Sequence, residues 1–250
     1  QRMRGATASL TRLEARLFLR EPMWLIFGLL FPPLLLLAMG FLFPGFDEPL
    51  AELDGERLID VYTPTVIGLA MAMLSLMALP MTIASYREEG ILRRMRTTPV
   101  HPARLLIAQV NTLAMVSVVG TAATVVVGAL AFDVPLPESP IWFVVAFAMG
   151  LAAMLSLGLL IGAVSRSATT AQVLGFALFF PMLFFAGVYV PRGMMSDGLT
   201  AIANFAPLGA AVQAMLDAWA GTTPAVQQLL VLALYTAAFG AAAVRLFRWD

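Results

Sequence analysis

Residues with reactive or charged side chains are few in this chain, and many of them gather in one short segment. The sequence has no Cys, a single His at position 101, and fifteen basic residues that are all Arg. Residues 85–104, SYREEGILRRMRTTPVHPAR, hold several arginines beside two adjacent acids, Glu88 and Glu89. The missing Cys excludes a thiol nucleophile and a Cys-ligated metal. The missing Lys excludes a P-loop nucleotide site, and a single His excludes a His-cluster metal site. This charged segment is therefore expected to bind a partner and not to catalyse a reaction.

The order of residues in the segment favours a short docking helix. Ser85 can cap a helix start, Glu88 follows three positions later, and the acids precede the arginines, as the helix dipole favours. The side chains of Ile91, Leu92 and Met95 fall on one side and form a small apolar knob ringed by charge. Arginines alone could also serve to set topology and to touch anionic lipid headgroups. Headgroups repel the paired acids, so a protein partner is the better expectation.

The composition of the remaining chain places this segment at the edge of a membrane protein. Hydrophobic residues make up 60% of the chain and charged residues 12%, whereas about 25% charged is usual in soluble domains. The mean hydropathy is +0.88. A bilayer span needs about 20 apolar residues, so 250 residues leave room for six spans. We expect one all-α polytopic membrane domain over residues 1–250.

Hydropathy and periodicity divide the chain into a leading surface helix, six spans and a broken segment. Residues 1–22 predict an amphipathic interfacial helix, with apolar residues and arginines on separate stripes. Apolar runs predict spans at residues 23–43, 61–84, 105–131, 141–164, 170–190 and 225–244. Residues 191–222 are too apolar for an ordinary loop, and four residues interrupt them: Pro191, Gly198, Pro207 and Asp217. This segment predicts two extracellular re-entrant helices that cap a passage.

The arginines in the short connections predict the orientation of the chain. With the N-terminus inside, nearly all arginines fall on the cytoplasmic side, and only Arg57 and Arg192 lie outside. Most acids of the connections fall on the opposite side, although acids contribute little to this rule. Both termini and the loop at residues 85–104 are therefore expected to be cytoplasmic.

The stretch REEGILRRMRTTPVHPARLL resembles the loop between the second and third spans of ABC-2 type transporter permeases, especially those of the daunorubicin-resistance-like exporter branch. The matching positions are Arg87, Glu88, Glu89, Gly90, Leu92, Arg93, Arg94, Thr97, Thr98 and Pro99. Ile91 stands where a Thr is frequent in the family. Gly209 and Ala210 stand where relatives often carry a hydroxyl residue followed by an aromatic residue or His. The leading helix, the six spans and the re-entrant pair extend the resemblance over nearly the whole chain.

The resemblance implies a permease subunit that is not an enzyme by itself. In that family the loop is a coupling helix that sits against a separate P-loop ATPase subunit, which would be present in two copies and would hold the ATP and Mg. The resemblance also implies a second permease copy or a homologous permease, contact with membrane lipids, and no nucleic-acid partner. An Ala-rich chain whose basic residues are all Arg favours a bacterial source and hence the inner (cytoplasmic) membrane.

The ATPase is expected to dock on residues of the loop and of the leading helix. They are Arg87, Glu88, Glu89, Gly90, Ile91, Leu92, Arg93, Arg94, Met95, Arg96, Arg12 and Arg16. This chain is expected to hold no catalytic residue, cofactor or metal of its own. Movement of the docked loop would then change the packing of the spans.

Polar and adaptable side chains within the spans are candidates for a cargo pathway. Met-rich and aromatic faces can form an adaptable apolar track, although packing against lipid or helices is the commoner reason for them. The candidates are Met73, Met77, Asn111, Gln172, Phe176, Phe180 and Phe184. An uncharged core favours hydrophobic or amphipathic cargo, such as a drug, a lipid or a lipid-linked molecule, and multidrug efflux would fit. Export of a polysaccharide stays open as the alternative. Gly158 and Gly162 form a GxxxG pattern that predicts close helix contact.

Two other classes of function find less support in the sequence. An ion-coupled secondary transporter needs ionisable groups near the bilayer centre, and the central parts of the apolar runs hold no Asp, Glu, Arg or Lys. An intramembrane enzyme needs a nucleophile or a metal arrangement, and the chain has no Cys, no His cluster and no GxSxG motif.

Overall fold

Helices make up most of the described chain. The computed structural model of the protein describes residues 26–50, 53, 55–91, 94 and 103–247. Within these residues the α-helices are α1 (Phe31–Leu42), α2 (Leu58–Met73), α3 (Leu79–Glu88), α4 (Ala103–Phe132), α5 (Pro140–Val164), α6 (Ala168–Phe185), α7 (Asp197–Phe205), α8 (Pro207–Trp219) and α9 (Val226–Leu246). A π-helical segment, π1 (Ile26–Leu30), precedes α1, and a second, π2 (Leu74–Ala78), joins α2 to α3.

Five helical segments of the described chain are long and apolar enough to cross a bilayer. They are Leu58–Glu88, Ala103–Phe132, Pro140–Val164, Ala168–Phe185 and Val226–Leu246, and a shorter apolar helix, Ile26–Leu42, precedes them. The prediction of an all-α polytopic membrane protein is confirmed, and each predicted apolar run overlaps a helix, although α6 ends at Phe185, five residues before the predicted end of its run. The predicted interfacial helix at residues 1–22 lies outside the described residues.

The helix Leu58–Glu88, here named span 2, lies at the centre of the bundle. It combines α2, π2 and α3 in one continuous helix. In its most apolar window 83% of the residues are buried, against 28% in α4 and 11% in α9. Helices α1 and α4 pack along α2, while α5 and α6 pack along α3. Span 2 is thus surrounded mainly by protein, and the outer helices carry most of the exposed apolar side chains.

Glycines let two neighbouring helices touch the backbone of span 2 at π2. A Cβ added to Gly158 of α5 would lie 2.0 Å from the carbonyl oxygen of Ser75, and one added to Gly175 of α6 would lie 2.2 Å from that of Leu76. Neither glycine has room for a side chain. At Gly162 an added Cβ would meet a side chain of α3 at 3.0 Å. The close helix contact predicted from the GxxxG pattern is therefore confirmed.

The helix of span 2 continues beyond the predicted apolar run. Helix α3 passes through Ser85 and ends at Glu88, and Gly90 then turns the chain with a φ of +67°. The prediction that Ser85 caps a new helix is wrong. Arg and Glu are good helix formers, so Arg87 and Glu88 extend the helix past the residues that hydropathy assigns to the membrane.

The two ends of the bundle are named here by what they carry. The loop face holds the end of α3, the end of α5 and Phe247. The bent-pair face lies opposite and holds the connection between α4 and α5 together with α7 and α8. Arg57 belongs to the bent-pair face, where its guanidinium binds the carboxylate of Asp60 at 2.7 and 2.8 Å and the carbonyl oxygen of Phe132 at 2.9 Å.

Helices α7 and α8 form the bent pair between the fifth and sixth predicted spans. Their axes differ by 104°. The bend lies at Ala206, whose backbone is extended (φ −74°, ψ 133°), because a residue before proline disfavours the helical conformation and Pro207 follows. The predicted helical pair is confirmed.

The far end of α8 is fastened to the connection between α4 and α5. The backbone N–H of Glu138 donates to the carbonyl of Trp219 at 3.2 Å, and that of Ser139 donates to Ala218 at 3.1 Å. The Ser139 hydroxyl also donates to the carbonyl of Gly221 at 3.1 Å. One end of the bent pair is therefore held by backbone hydrogen bonds.

Candidate functional sites at the two faces

Span 2 presents charged groups at the loop face. Glu88 and Glu89 are exposed. After the turn at Gly90, the backbone N–H of Arg94 donates to the Gly90 carbonyl at 3.0 Å, and its Nη2 donates to the Glu89 carbonyl at 3.1 Å. Ile91 is half-buried and packs against the main apolar core, so it does not belong to a free apolar knob. An apolar side chain gains more by burial against the bundle than by standing in water.

The side chain of Arg87 contacts backbone carbonyls at the end of α5. Its Nη1 donates to the carbonyl oxygens of Gly162, at 3.2 Å, and Ser165, and its Nη2 donates to that of Ala163 at 3.5 Å. A helix C-terminus favours a positive charge. The guanidinium carbon also lies 5.3 Å from the centre of the Phe247 ring, within the range of a cation–π contact. Arg87 therefore fastens the end of span 2 to the ends of α5 and α9.

The predicted docking set is only partly described. Glu88, Glu89 and Arg94 form a charged surface, whereas Arg87 makes contacts within the chain. Six of the candidates lie outside the described residues: Leu92, Arg93, Met95, Arg96, Arg12 and Arg16. A docking role for the set stays a prediction.

The candidate pathway residues do not form one group. Met77 is buried and Met73 is half-buried in span 2. On α6, Gln172, Phe176 and Phe180 recur every fourth residue along an exposed stripe, and the two phenylalanine rings stack with centroids 6.0 Å apart. This spacing places them on one helix face.

Two further pathway candidates differ in their placement. Phe184 continues the α6 stripe and is half-buried. Asn111 is exposed on α4, which packs along α1 and α2. The structure therefore brings four candidates together on α6 and places Asn111 on a different helix.

A buried arginine lies at the bent-pair face. Arg192 is only 5% exposed. Its Nε donates to Gln213 Oε1 at 2.6 Å, its Nη1 donates to the Phe185 carbonyl at 2.6 Å, and its Nη2 donates to Asn204 Oδ1. Gln213 Nε2 in turn donates to Asp217 Oδ1 at 2.8 Å. Burial lowers the pKa of Arg192 to about 10, and the negative charge of Asp217 opposes this shift.

A cavity of about 680 Å³ opens beside this arginine. Its volume lies in the range of small-molecule sites. Carboxylates, amides and an indole contribute to its lining: Glu56, Glu138, Asp217, Asn204, Gln213 and Trp219. The cavity gives the Arg192 network an opening at the bent-pair face.

The network around Arg192 was missed in the sequence, where this residue counted only toward topology. One signal for it was present. Asn204, Gln213 and Asp217 are polar residues in the otherwise largely apolar stretch 201–220, which follows shortly after Arg192. Buried polar groups require hydrogen-bond partners, so such a set predicts mutual contacts, although not their geometry.

Two comparisons with known proteins bear on this arrangement. The family model for ABC-2 type transporters matches residues 6–219. The match takes in span 2, the end of α5 at the loop face and the bent pair, and it ends before α9. A search of curated proteins finds no match.

Proposed function

The chain belongs to the ABC-2 type transporter family, and from this premise we propose that it is the permease subunit of an exporter driven by a separate P-loop ATPase. Two ATPase subunits dock at the loop face, and a second permease copy or a homologous permease completes the pathway. The cargo is a hydrophobic or amphipathic molecule, such as a drug, a lipid or a lipid-linked compound. It moves outward across the cytoplasmic membrane.

The absence of charge inside the spans supports transport that is driven by mechanical contact with the ATPase and not by ion movement. No Asp, Glu, Arg, Lys or His occurs between residues 61 and 86, 105 and 132, 140 and 164, 168 and 185, or 226 and 244. An ion-coupled transporter uses ionisable groups at that depth. Energy therefore enters this subunit through its surface.

The link made by Arg87 is the observation that carries the proposal. Arg87 is the residue next to the exposed Glu88, and its side chain contacts the ends of α5 and α9. It therefore connects the exposed acids at the end of span 2 to both helices. A push on the acids therefore moves three spans together. Because span 2 is the most buried of the candidate spans, its displacement repacks the helices around it.

The loop face is assigned to the cytoplasm because the arginines cluster there. The bent-pair face is then external, and the exposed apolar stripe on α6 is a candidate wall of the pathway. An aromatic wall binds apolar cargo mainly through the area that it buries. It discriminates weakly between cargoes of similar size.

The docking surface can be tested in a chain that has no native Cys. Glu89→Cys carrying a photoactivatable maleimide is cross-linked in the native membrane, and the captured protein is identified by mass spectrometry. We expect a P-loop ATPase. In the purified complex, Glu88→Arg together with Glu89→Arg should lower stimulation of ATP hydrolysis about tenfold, because reversed charges weaken a complementary surface.

The matched control reverses another adjacent pair of exposed acids, Asp47 and Glu48, at the opposite face. Asp47→Arg with Glu48→Arg should leave ATPase stimulation close to that of the unmodified chain. A cross-linked partner without a P-loop, or equal effects of the two reversals, would contradict the proposed docking surface.

A further inference from the structure

Arg192 is a buried charge held by neutral groups. Its described hydrogen bonds go to two amide oxygens and one backbone carbonyl. Bonds between a guanidinium and a carboxylate are stronger than bonds to neutral acceptors. Its lowered pKa of about 10 still lies well above neutral pH, so the side chain keeps its charge. The arrangement holds this charge less tightly than an ion pair would.

The guanidinium joins three helices at one point. Phe185 ends α6, Asn204 lies near the end of α7, and Gln213 lies in α8. Gly209 allows α8 to approach closely, because a Cβ there would lie 2.2 Å from the carbonyl oxygen of Ala203 and 2.9 Å from that of Phe185. The guanidinium thus holds the bent pair on the end of α6, an arrangement that we term the seated state.

A carboxylate lies next to these amide partners. Asp217 follows Gln213 by one helical turn, and the Gln213 side chain bridges Arg192 to it through bonds of 2.6 and 2.8 Å. All three side chains line the 680 Å³ cavity. Rotation of Gln213 would let the guanidinium pair directly with the carboxylate of Asp217. That pairing would give up the bonds to Asn204 and Phe185.

We propose that Arg192 is a positioning residue for transport, which seats α7 and α8 on the end of α6 and releases them when its guanidinium exchanges amide partners for the carboxylate of Asp217. Asp217 supplies a second stable position for the same charge. The exchange gives the bent pair two states. The coupling of this exchange to ATP rests on the proposed function, whereas the seating itself does not.

The seated state can be measured by the rate at which a maleimide labels a Cys at a position that is buried between α7 and α8. Ala203 is 0% exposed and lies against α8, so Ala203→Cys should react slowly with a maleimide. The matched control is Ser165→Cys, which is also 0% exposed but lies at the loop face. Both variants are made in the full chain, which has no native Cys, and are placed in lipid nanodiscs.

Loss of the guanidinium should unseat the bent pair. In the Ala203→Cys chain, Arg192→Gln should raise the labelling rate about tenfold or more, because bonds to three helix segments are weakened. Arg192→Lys keeps the charge but cannot make the forked contact, so it should raise the rate as well. Labelling of Ser165→Cys should not change in either background, which shows that the fold persists. Unchanged labelling of Ala203→Cys with Arg192→Gln would overturn the seating.

The exchange step is tested in the complex with the ATPase subunits. ATP with Mg should raise the labelling rate of Ala203→Cys in the otherwise unmodified chain. Asp217→Asn removes the charge that the exchange requires, so the ratio of rates with and without ATP should fall to about one. A purely structural role for Asp217 would leave that ratio unchanged. An unchanged ratio with Asp217→Asn, or no response to ATP in the parent chain, would overturn the exchange.

ATP hydrolysis by the same complexes is recorded in parallel. Failure of the permease to stimulate hydrolysis would count against the proposed function. The labelling of the isolated chain would still decide whether Arg192 seats the bent pair. The two ideas can therefore fail separately.

Discussion

An arginine fastens helix ends at each face of the bundle, but the described hydrogen bonds of the two arginines go to different kinds of partner. At the loop face, the described hydrogen bonds of Arg87 go to backbone carbonyls at the end of α5. At the bent-pair face, Arg192 binds the side-chain amides of Asn204 and Gln213 and one backbone carbonyl. A carbonyl in a helix end keeps its position, whereas an amide side chain can change rotamer. The loop face is thus a fixed joint, and the bent-pair face is a releasable one.

Burial sharpens this difference between the faces. Arg192 is 5% exposed, and burial lowers its pKa, so its charge carries a cost in the folded state. Arg87 is half-buried and loses less hydration. Removing a partner of Arg192 should therefore destabilise the fold more than removing the arginine itself, because the first change leaves a buried charge without its acceptor.

The largest effect is expected from Gln213→Leu. This change deprives the buried guanidinium of its Nε acceptor and breaks the bridge to Asp217, which should lower the free energy of unfolding by about 2–4 kcal/mol. Arg192→Met combined with Gln213→Leu should recover most of this loss, because no charge is then left buried. Equilibrium unfolding in mixed detergent micelles measures both.

A double variant as unstable as Gln213→Leu alone would contradict this interpretation of the bent-pair face. It would mean that Gln213 stabilises the fold through packing and not as an acceptor for Arg192. The guanidinium would then not be the centre of the joint.

A smaller loss is expected from Arg87→Met at the loop face. The change removes the charge from the end of α5 and the contact with Phe247, and it should lower the free energy of unfolding by about 1–3 kcal/mol. Arg166→Met is the matched control, because Arg166 is exposed at the same face and surface changes usually stay within about 0.5 kcal/mol. Equal losses in the two variants would remove the evidence for a fixed joint.

The smallest effect is expected from Ser165→Ala. The variant loses the hydrogen bond from the Ser165 hydroxyl to the Ile161 carbonyl, at 2.7 Å, and should cost about 0.5–1 kcal/mol. The backbone carbonyl that Arg87 binds remains in place. Asn204→Ala removes a side-chain partner at the other face and should cost more. If the order of these two losses were reversed, the distinction between backbone and side-chain partners would fail.

The broad fold was predictable because the bilayer imposes it. A span needs a long apolar helix, and each apolar run of the sequence became a helix in the described chain. The break before Pro207 was also predictable, since the residue before a proline avoids the helical conformation. These features depend on residues that are near neighbours in the sequence.

The end of span 2 and the role of Arg87 were harder to predict. Hydropathy marks where lipid contact ends, but α3 continues through Arg87 to Glu88. The partners of Arg87 at Gly162 and Ser165 lie more than seventy residues away. A charge count along the chain does not distinguish a side chain that binds another helix end from one offered to a partner.

The glycines that touch span 2 restrict how a force at Glu88 can travel. If α5 or α6 slid by one helical turn along span 2, Met154 in place of Gly158 or Phe179 in place of Gly175, each four residues away on the same helix face, would collide with the carbonyl oxygens of π2. Axial slippage is thereby blocked on two sides. Helices α3, α5 and α6 should therefore tilt together as one rigid block against α1 and α4. The lipid around this block would then deform to accommodate the tilt.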